Sequence, residues 1–262
     1  MRHADHIVVS SAAEGASWIT LKRAQARNAL DWEMLDALND AITEVESDLS
    51  TSVALIRSSL ERVFVAGGDI AVMRDLDIDS GARFVYAGHR LMRRLEESRI
   101  VFIAVVNGFA LGGGFELALS CDLIVADSTA VFGLTEVTVG LVPGGGGTQL
   151  LARRIGAGRA ADLVLTGRKV DAQEAFRLGI VDRLAVGVHV RQLALDVAAT
   201  IEANSPLAVR YAKHALRFGY GTALHEGLEI EDAAWRAAAL SADRREGISA
   251  FTEKRAPRWS GK

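Results

Sequence analysis

Cysteine is nearly absent: Cys121 is the only one in 262 residues. That excludes an internal disulfide framework and suits a reducing compartment. Cys121 stands in an apolar run, the setting of a buried structural thiol rather than of a nucleophile. An excess of either charge is missing too. Lys and Arg number 30 against 33 Asp and Glu, a net charge of -3, so nothing global calls for a nucleic acid or an acidic membrane surface as partner. No apolar stretch is long enough to span a bilayer; "IVFIAVVNGFALGGG" is broken by Asn107 and its glycines. The N-terminal stretch "MRHADHIVVSS" has His and Asp where a secretory signal needs an unbroken apolar core, so the expected location is the cytoplasm. Low-complexity segments and fixed-period repeats are lacking.

Several chemistries are missing as well. There is no G-x-S-x-G nucleophile elbow. "HEGLE" lacks the second histidine of a zinc-binding helix, and the six histidines are scattered, so no metal site is expected. "PGGGGTQLL" lacks the Gly-Lys-Ser/Thr ending of a phosphate-binding loop and reads as a tight loop feeding a helix over Thr148–Ile155.

What is present fits one large globular domain, or a domain with a helical extension: half of the residues are hydrophobic and 24% charged. Short β-branched or alternating runs, "HIVVS", "SWITL", "VALIRS", "IVFIAVVN", "DLIVAD" and "AVFGLTE", predict strands. Between them lie helical patterns. "DWEMLDALNDAITEVESD" opens on a capping candidate, Asp31, and repeats apolar residues at Met34, Leu35, Leu38, Ile42 and Val45. The class is therefore α/β. From about Ser205 the strand signals stop, which divides the chain into a core over 1–204 and a helical region over 205–262. Such a tail packs on a neighbouring subunit or on its own core, and composition does not choose.

Two glycine turns stand out. In "ALGGGFELALSCD" a strand passes through glycine into an apolar helix, whose first N–H groups have no partner inside the helix. "VFVAGGDIAVM" repeats the arrangement at Gly67 and Gly68. One N–H from each would make an oxyanion site for a carbonyl oxygen that gains charge. Any glycine-rich turn into a helix has this look, however. Two glutamates, Glu116 and Glu136, sit nearby in apolar frames. Burial would raise their pKa toward the working pH and suit them to proton chemistry beside a carbonyl. Sequence spacing alone does not bring them together. The basic tail, with Arg244, Arg245, Lys254, Arg255, Arg258 and Lys262, is either a solvated helix face or a clamp for a phosphorylated ligand.

The stretch "VNGFALGGGFELALSCDLIVADSTAVFGLTEVTVGLVPGGGGTQLLARRIG", with "RNALD", "FVAGGDI", "LTGRKVDAQEAFRLGIVDRL" and "EGISAFTEKRAP", resembles the crotonase superfamily over nearly the whole chain, most closely the enoyl-CoA hydratases. The resemblance implies a spiral of ββα units with a C-terminal helical region that builds a homotrimer or homohexamer. It implies an acyl-CoA thioester as substrate and no cofactor, since coenzyme A arrives with the substrate. By the family pattern Gly68 and Gly113 form the oxyanion hole, and Glu116 and Glu136 are the two hydratase acids. The substrate-binding set would be Arg23, Ala26, Arg27, Ala66, Gly67, Asp69, Ile70, Phe115, Leu141, Phe251 and Lys254.

Two basic positions of the family pattern are replaced, by Gln25 after Ala24 and by Ala71, with Arg23 and Arg27 as candidate substitutes. The acyl pocket is expected from the segment 73–95 with Phe115, Val137 and Leu141, Phe115 shortening or redirecting it. The implied reaction is reversible hydration of a 2-enoyl-CoA. The alternatives are an enoyl-CoA isomerase of the same fold and a non-catalytic acyl-CoA-binding protein. Acyl specificity and pathway stay open.

Overall fold

Through the middle of the chain the strands alternate between two sheets. The computed structural model describes residues 6–13, 15–186 and 189–262; the first five residues of the N-terminal stretch discussed above lie outside these. The chain opens with a hairpin, β1 (Ile7–Ala13) and β2 (Ala16–Leu21), followed by α1 (Trp32–Ser47). Three ββα turns come next. The first is β3 (Val53–Ser58), β4 (Val63–Val65), α2 (Ile70–Arg74) and α3 (Ile78–Glu97). The second is β5 (Val101–Val106), β6 (Phe109–Leu111) and α4 (Gly113–Ser120). The third is β7 (Leu123–Ala126), β8 (Val131–Gly133) and α5 (Gly147–Ile155). The remaining elements are α6 (Ala157–Thr166), β9 (Val170–Asp171), α7 (Ala172–Leu178), β10 (Arg183–Leu184) and α8 (Val190–Glu202). From Pro206 on the chain is helical: α9 (Pro206–Gly219), α10 (Leu224–Ala239) and α11 (Ala242–Glu253).

The first strand of each turn enters a six-stranded sheet of order β1-β2-β3-β5-β7-β10, and the second enters a four-stranded sheet of order β4-β6-β8-β9. The α/β class and the spiral of ββα units expected above are both present. All six predicted strands form. The apolar run before Gly67 forms the short strand β4; the three not predicted, β6, β9 and β10, are two or three residues long, too short to show a pattern.

Side chains alternate across the large sheet, so each strand feeds two cores. Ala54, Ile56, Phe102, Ala104 and Ile124 face α1, α3 and α4 in the larger cluster. Val53, Leu55, Ile103, Val105 and Val125 face Val190, Ala194 and Ala198 of α8 in the smaller. Helix α1 starts where its capping residue predicts, the Asp31 carboxylate accepting the Met34 N–H at 2.8 Å. Among the described residues no helix is long and apolar enough to cross a membrane.

Helix α9 is tied to the core by buried charge. Lys213 Nζ lies 2.8 Å from Asp122 and donates to the carbonyls of Leu95 at 3.0 Å and Ile100 at 2.6 Å. Arg217 donates to Asp122 Oδ1 at 3.0 Å and to the Cys121 carbonyl at 2.9 Å, at the C-terminal end of α4. Asp122 also accepts the Phe102 N–H at 2.8 Å. Burial pulls the Lys213 ammonium below its usual range, and Asp122 works against that shift. Removing one member of such a cluster strands the others. Asp122→Ala is expected to cost at least about 3 kcal/mol in denaturant unfolding. Breaking the exposed Arg93–Glu97 pair with Arg93→Ala is expected to cost no more than about 0.5 kcal/mol.

Candidate active site

The small sheet places the site. Its strands β4, β6 and β8 run parallel side by side, so the residues after their carboxyl ends gather on one edge. After β4 come Gly67 and Gly68, after β6 come Gly112 and Gly113, and after β8 come Leu134 to Glu136. A ligand site beyond the carboxyl ends of parallel strands is the usual consequence of this geometry. The Gly112 N–H donates to the Gly133 carbonyl at 2.8 Å, which joins the second turn to the third.

Gly68 is held by its neighbours. The Leu30 N–H donates to the Gly67 carbonyl and the Asp69 N–H donates to the Leu30 carbonyl, both at 2.8 Å. In such a parallel bridge the middle residue turns its own N–H the other way. Gly113 is the first residue of α4, where the N–H has no partner inside the helix. The two glycines face one another: a Cβ on Gly113 would stand 3.7 Å from the Gly68 nitrogen and 3.9 Å from Glu116 Oε2. Two N–H donors of separate loops thus open on one space beside a carboxylate.

Glu116 is 3% exposed. Its Oε1 accepts the N–H groups of Gly145 at 2.7 Å and Gly147 at 2.8 Å. The "PGGGG" loop is therefore the seat of a buried carboxylate, a role beyond the tight loop read from the sequence. Steric need explains its glycines. A Cβ on Gly145 would lie 2.6 Å from Glu116 Oε2, and one on Gly147 would lie 2.9 Å from Oε1. Burial pushes the Glu116 carboxyl above its usual range, and the two N–H bonds pull it back.

Glu136 opens the single turn of 3-10 helix Glu136–Val139. Its Oε1 would be only 2.8 Å from a Cβ on Gly112, whose φ of +48° also favours glycine. Among the described residues its Oε2 is buried without a hydrogen-bond partner. Burial pushes this carboxyl up to about 7, and the charge of Glu116 adds to the rise. The two acids share one cavity of about 530 Å³ with both glycine turns. N–H groups of another loop reach Glu116 Oε1, while Glu136 Oε2 has no partner among the described residues, so the two carboxyls sit in unlike environments.

The other expected residues divide. Ala66, Gly67, Ile70 and Leu141 line the cavity with Gly68, Gly113, Glu116 and Glu136. Asp69 caps α2 through the Ala71 N–H at 3.0 Å. Arg23 is a correction: its guanidinium turns inward rather than toward a ligand. It lies 2.6 Å from Asp31 and 2.9 Å from Asp69, and donates to the Ala29 carbonyl at 2.9 Å. It joins the caps of α1 and α2 on either side of the Leu30–Gly68 bridge. Ala26 belongs to a short 3-10 turn, Ala24–Ala26, and exposed Arg27 closes it with φ of +53°.

Phe115 is a second correction. It is fully buried against Phe132, ring centroids 5.3 Å apart, and does not line the cavity. In an α-helix the residue beside Glu116 points well away from it, here into the core. Val137 is also absent from the lining, which takes Thr135, Val139 and Val142 from the same stretch. Phe251 and Lys254 lie exposed on and just after α11, away from this chain's cavity. Of the basic tail, Arg255 is held by Glu246 at 2.6 Å and Glu253 at 2.7 Å. A larger hollow of about 1030 Å³ borders α3, α5 and α9. It contains neither carboxylate nor either glycine donor, and meets the first cavity only at Met92 and Gly145.

The sequence profile described as Enoyl-CoA hydratase/isomerase matches residues 11–262. The chain is 37% identical over 237 residues to the short-chain-enoyl-CoA hydratase of Clostridium acetobutylicum, covering 90% of this chain and 91% of that one. It is 40% identical over 244 residues to the 2,3-dehydroadipyl-CoA hydratase of Escherichia coli, covering 93% and 94%. The solved structure of enoyl-CoA hydratase from Bacillus anthracis matches with a TM-score of 0.94 at 36% identity, over 98% of this chain and 100% of that one.

A raised carboxyl has a stability consequence. Glu136 holds its proton up to about pH 7 in the folded chain but only to 4.5 as a free side chain. Its contribution to folding is full below the lower value and is lost as pH rises through the upper one. Glu136→Gln removes that loss. The variant is expected to melt above wild type at pH 8, with the gap shrinking toward pH 5, in a thermal-melt series across that range.

Proposed function

The chain belongs to the enoyl-CoA hydratase/isomerase family, and from that premise we infer that its paired glutamates hydrate the 2,3 double bond of a 2-enoyl-CoA reversibly. The enzyme is an enoyl-CoA hydratase. The observation that carries the mechanism is the meeting of two acids of unlike environment with two opposed N–H groups in one cavity.

The thioester oxygen is received by the N–H groups of Gly68 and Gly113, which draws electrons from the β-carbon. Ionised Glu116 takes a proton from water as the water oxygen bonds to that carbon. The electron pair of the double bond moves toward the α-carbon and the thioester oxygen, and the charge that develops there is held by the two N–H groups. Protonated Glu136 delivers its proton to the α-carbon. Glu116 ends protonated and Glu136 ionised, and a proton exchange through the next water resets the pair. The substrate's coenzyme A is the only coenzyme this scheme uses.

Isomerisation is the second reading, favoured by the unpartnered oxygen of Glu136, which can carry a proton between α- and γ-carbons without Glu116. A non-catalytic acyl-CoA binder would have no use for the seat built around Glu116. A homotrimer or homohexamer is supported by the apolar side chains left exposed on α9, α10 and α11, among them Leu224 at 79%, Trp235 at 69% and Phe251 at 87%. In such an assembly Phe251 and Lys254 would serve the coenzyme A of a neighbouring subunit. A cytoplasmic location agrees with the single reduced thiol.

Crotonyl-CoA hydration, followed by loss of the enoyl-thioester absorbance, tests the reading. Glu116→Ala and Glu136→Ala are each expected to lose at least about a hundredfold in kcat. Wild-type turnover that survives both changes would overturn it. The working pair holds one proton, so kcat/KM for hydration should follow a bell whose alkaline limb lies near pH 7. Double-bond migration that persists in Glu116→Ala but not in Glu136→Ala would mark the isomerase reading.

A further inference from the structure

Helix α3 bears two glycines on the face that lines the cavity, Gly81 and Gly88. Glycine is the poorest helix former after proline, and inside a helix it calls for a reason. The two ordinary reasons are missing here. Neither residue has a positive φ. Neither is pressed by a neighbour: a Cβ on Gly88 would meet nothing within 4 Å, and one on Gly81 would reach only Leu76 Cβ at 4.0 Å. The contrast with Gly145 and Gly147, where a Cβ would strike Glu116, is plain. Along α3 the protein leaves space that it does not fill itself.

That space continues from the reacting centre. Val85, on the same face, has Cγ2 3.1 Å from where a Gly144 Cβ would stand, and the next residue, Gly145, holds Glu116. Gly88 is one helical turn beyond Val85, about 4.5 Å farther along the axis. Met92, a turn farther still, is buried and stands between this cavity and the larger hollow, lining both. Leu35, Met73 and Phe84 add apolar wall. Apart from the two catalytic glutamates, the one charged side chain lining the cavity among the described residues is Asp77; no Lys or Arg lines it. A carboxylate at the end of an acyl chain would find no cation here.

We propose that the bare face of α3 at Gly81 and Gly88 is the floor of the acyl site, and that the enzyme takes uncharged, apolar acyl groups longer than the four carbons of crotonyl. The proposal rests on the hydratase reading for where the thioester sits. A crotonyl group ends one methyl beyond its double bond, and Gly88 lies a further turn along α3 from Val85, which packs beside the loop that holds Glu116. Only a longer chain covers the surface left bare at Gly88.

The test compares kcat/KM for 2-enoyl-CoA substrates of four and eight carbons, and for one with a terminal carboxylate, in wild type, Gly88→Ala, Gly88→Leu and Gly158→Ala. Gly158, in α6, is also a helix glycine with open space around it, but it is exposed and outside the cavity. Wild type is expected to use the eight-carbon substrate at least as well as the four-carbon one, and about tenfold or more better than the carboxylated one. Gly88→Leu should lower the eight-to-four ratio at least about tenfold, the scale of an added contact in an apolar pocket. Gly88→Ala should lower it less while raising Tm, and Gly158→Ala should raise Tm and leave the ratio alone.

A ratio unmoved in both Gly88 variants, or a preference for the carboxylated substrate, overturns the proposal. If no enoyl-CoA is hydrated, the hydratase reading fails and calorimetric binding of octanoyl-CoA and butyryl-CoA decides the pocket. Gly88→Leu must then weaken octanoyl-CoA at least about tenfold more than butyryl-CoA; an equal effect on the two overturns the acyl floor.

Discussion

Two backbone N–H groups on one carboxylate oxygen organise this molecule's chemistry. Glu116 Oε1 takes the N–H of Gly145 and of Gly147, and the side chain is buried with that one oxygen satisfied. A carboxylate in this position costs free energy unless donors meet it. The donors come from a loop that approaches only because it has no side chains at the contact points. The loop in turn leads directly into α5, and α4 carries both Glu116 and the Gly113 N–H. The seat of Glu116 and the Gly113 N–H are therefore parts of one packed unit.

The other acid is defined by what it lacks. Glu136 follows the strand next to the one that leads to Gly113, so the small sheet brings it to the same cavity. No partner meets its Oε2 among the described residues, and burial pushes its carboxyl up to about 7. Two residues of one type thus stand in unlike environments, as N–H groups of another loop reach Glu116 Oε1 and no partner reaches Glu136 Oε2 among the described residues. Glycine serves both: Gly145 and Gly147 make room for Glu116, and Gly112 makes room for Glu136. Arg23 does related work at the remaining corner. By joining Asp31, Asp69 and the Ala29 carbonyl it fixes the two chain segments whose bridge turns the Gly68 N–H toward the cavity.

Much of this was legible beforehand. Six strands, and the run that becomes β4, are legible as apolar runs, and Asp31 marks the start of α1, because period and capping are local properties of the chain. The glycine turns at Gly68 and Gly113 and the two acids were readable as candidates for the same reason, each resting on a short quoted stretch. The remaining strands, β6, β9 and β10, are not legible: two or three residues carry no period. Arg23 and Phe115 were misplaced because nothing local says which way a side chain faces. By type Arg23 is a candidate for the substrate, and only the fold brings Asp31 and Asp69 around it; Phe115 is a candidate by its place next to Glu116. On a helix, sequence neighbours diverge, and Phe115 faces Phe132.

The sequence by itself determined the class of the fold, the order of its units and the short list of groups able to do chemistry. Those follow from periodicity, turn chemistry and residue type, all read within a dozen residues. Tertiary structure alone decided that the acids meet, that one is held by the "PGGGG" loop while Oε2 of the other has no partner among the described residues, and that Gly88 opens onto empty space. Each of these depends on segments far apart in the chain, 29 residues apart for Glu116 and Gly145, and only the pairing of strands across the small sheet sets their distance.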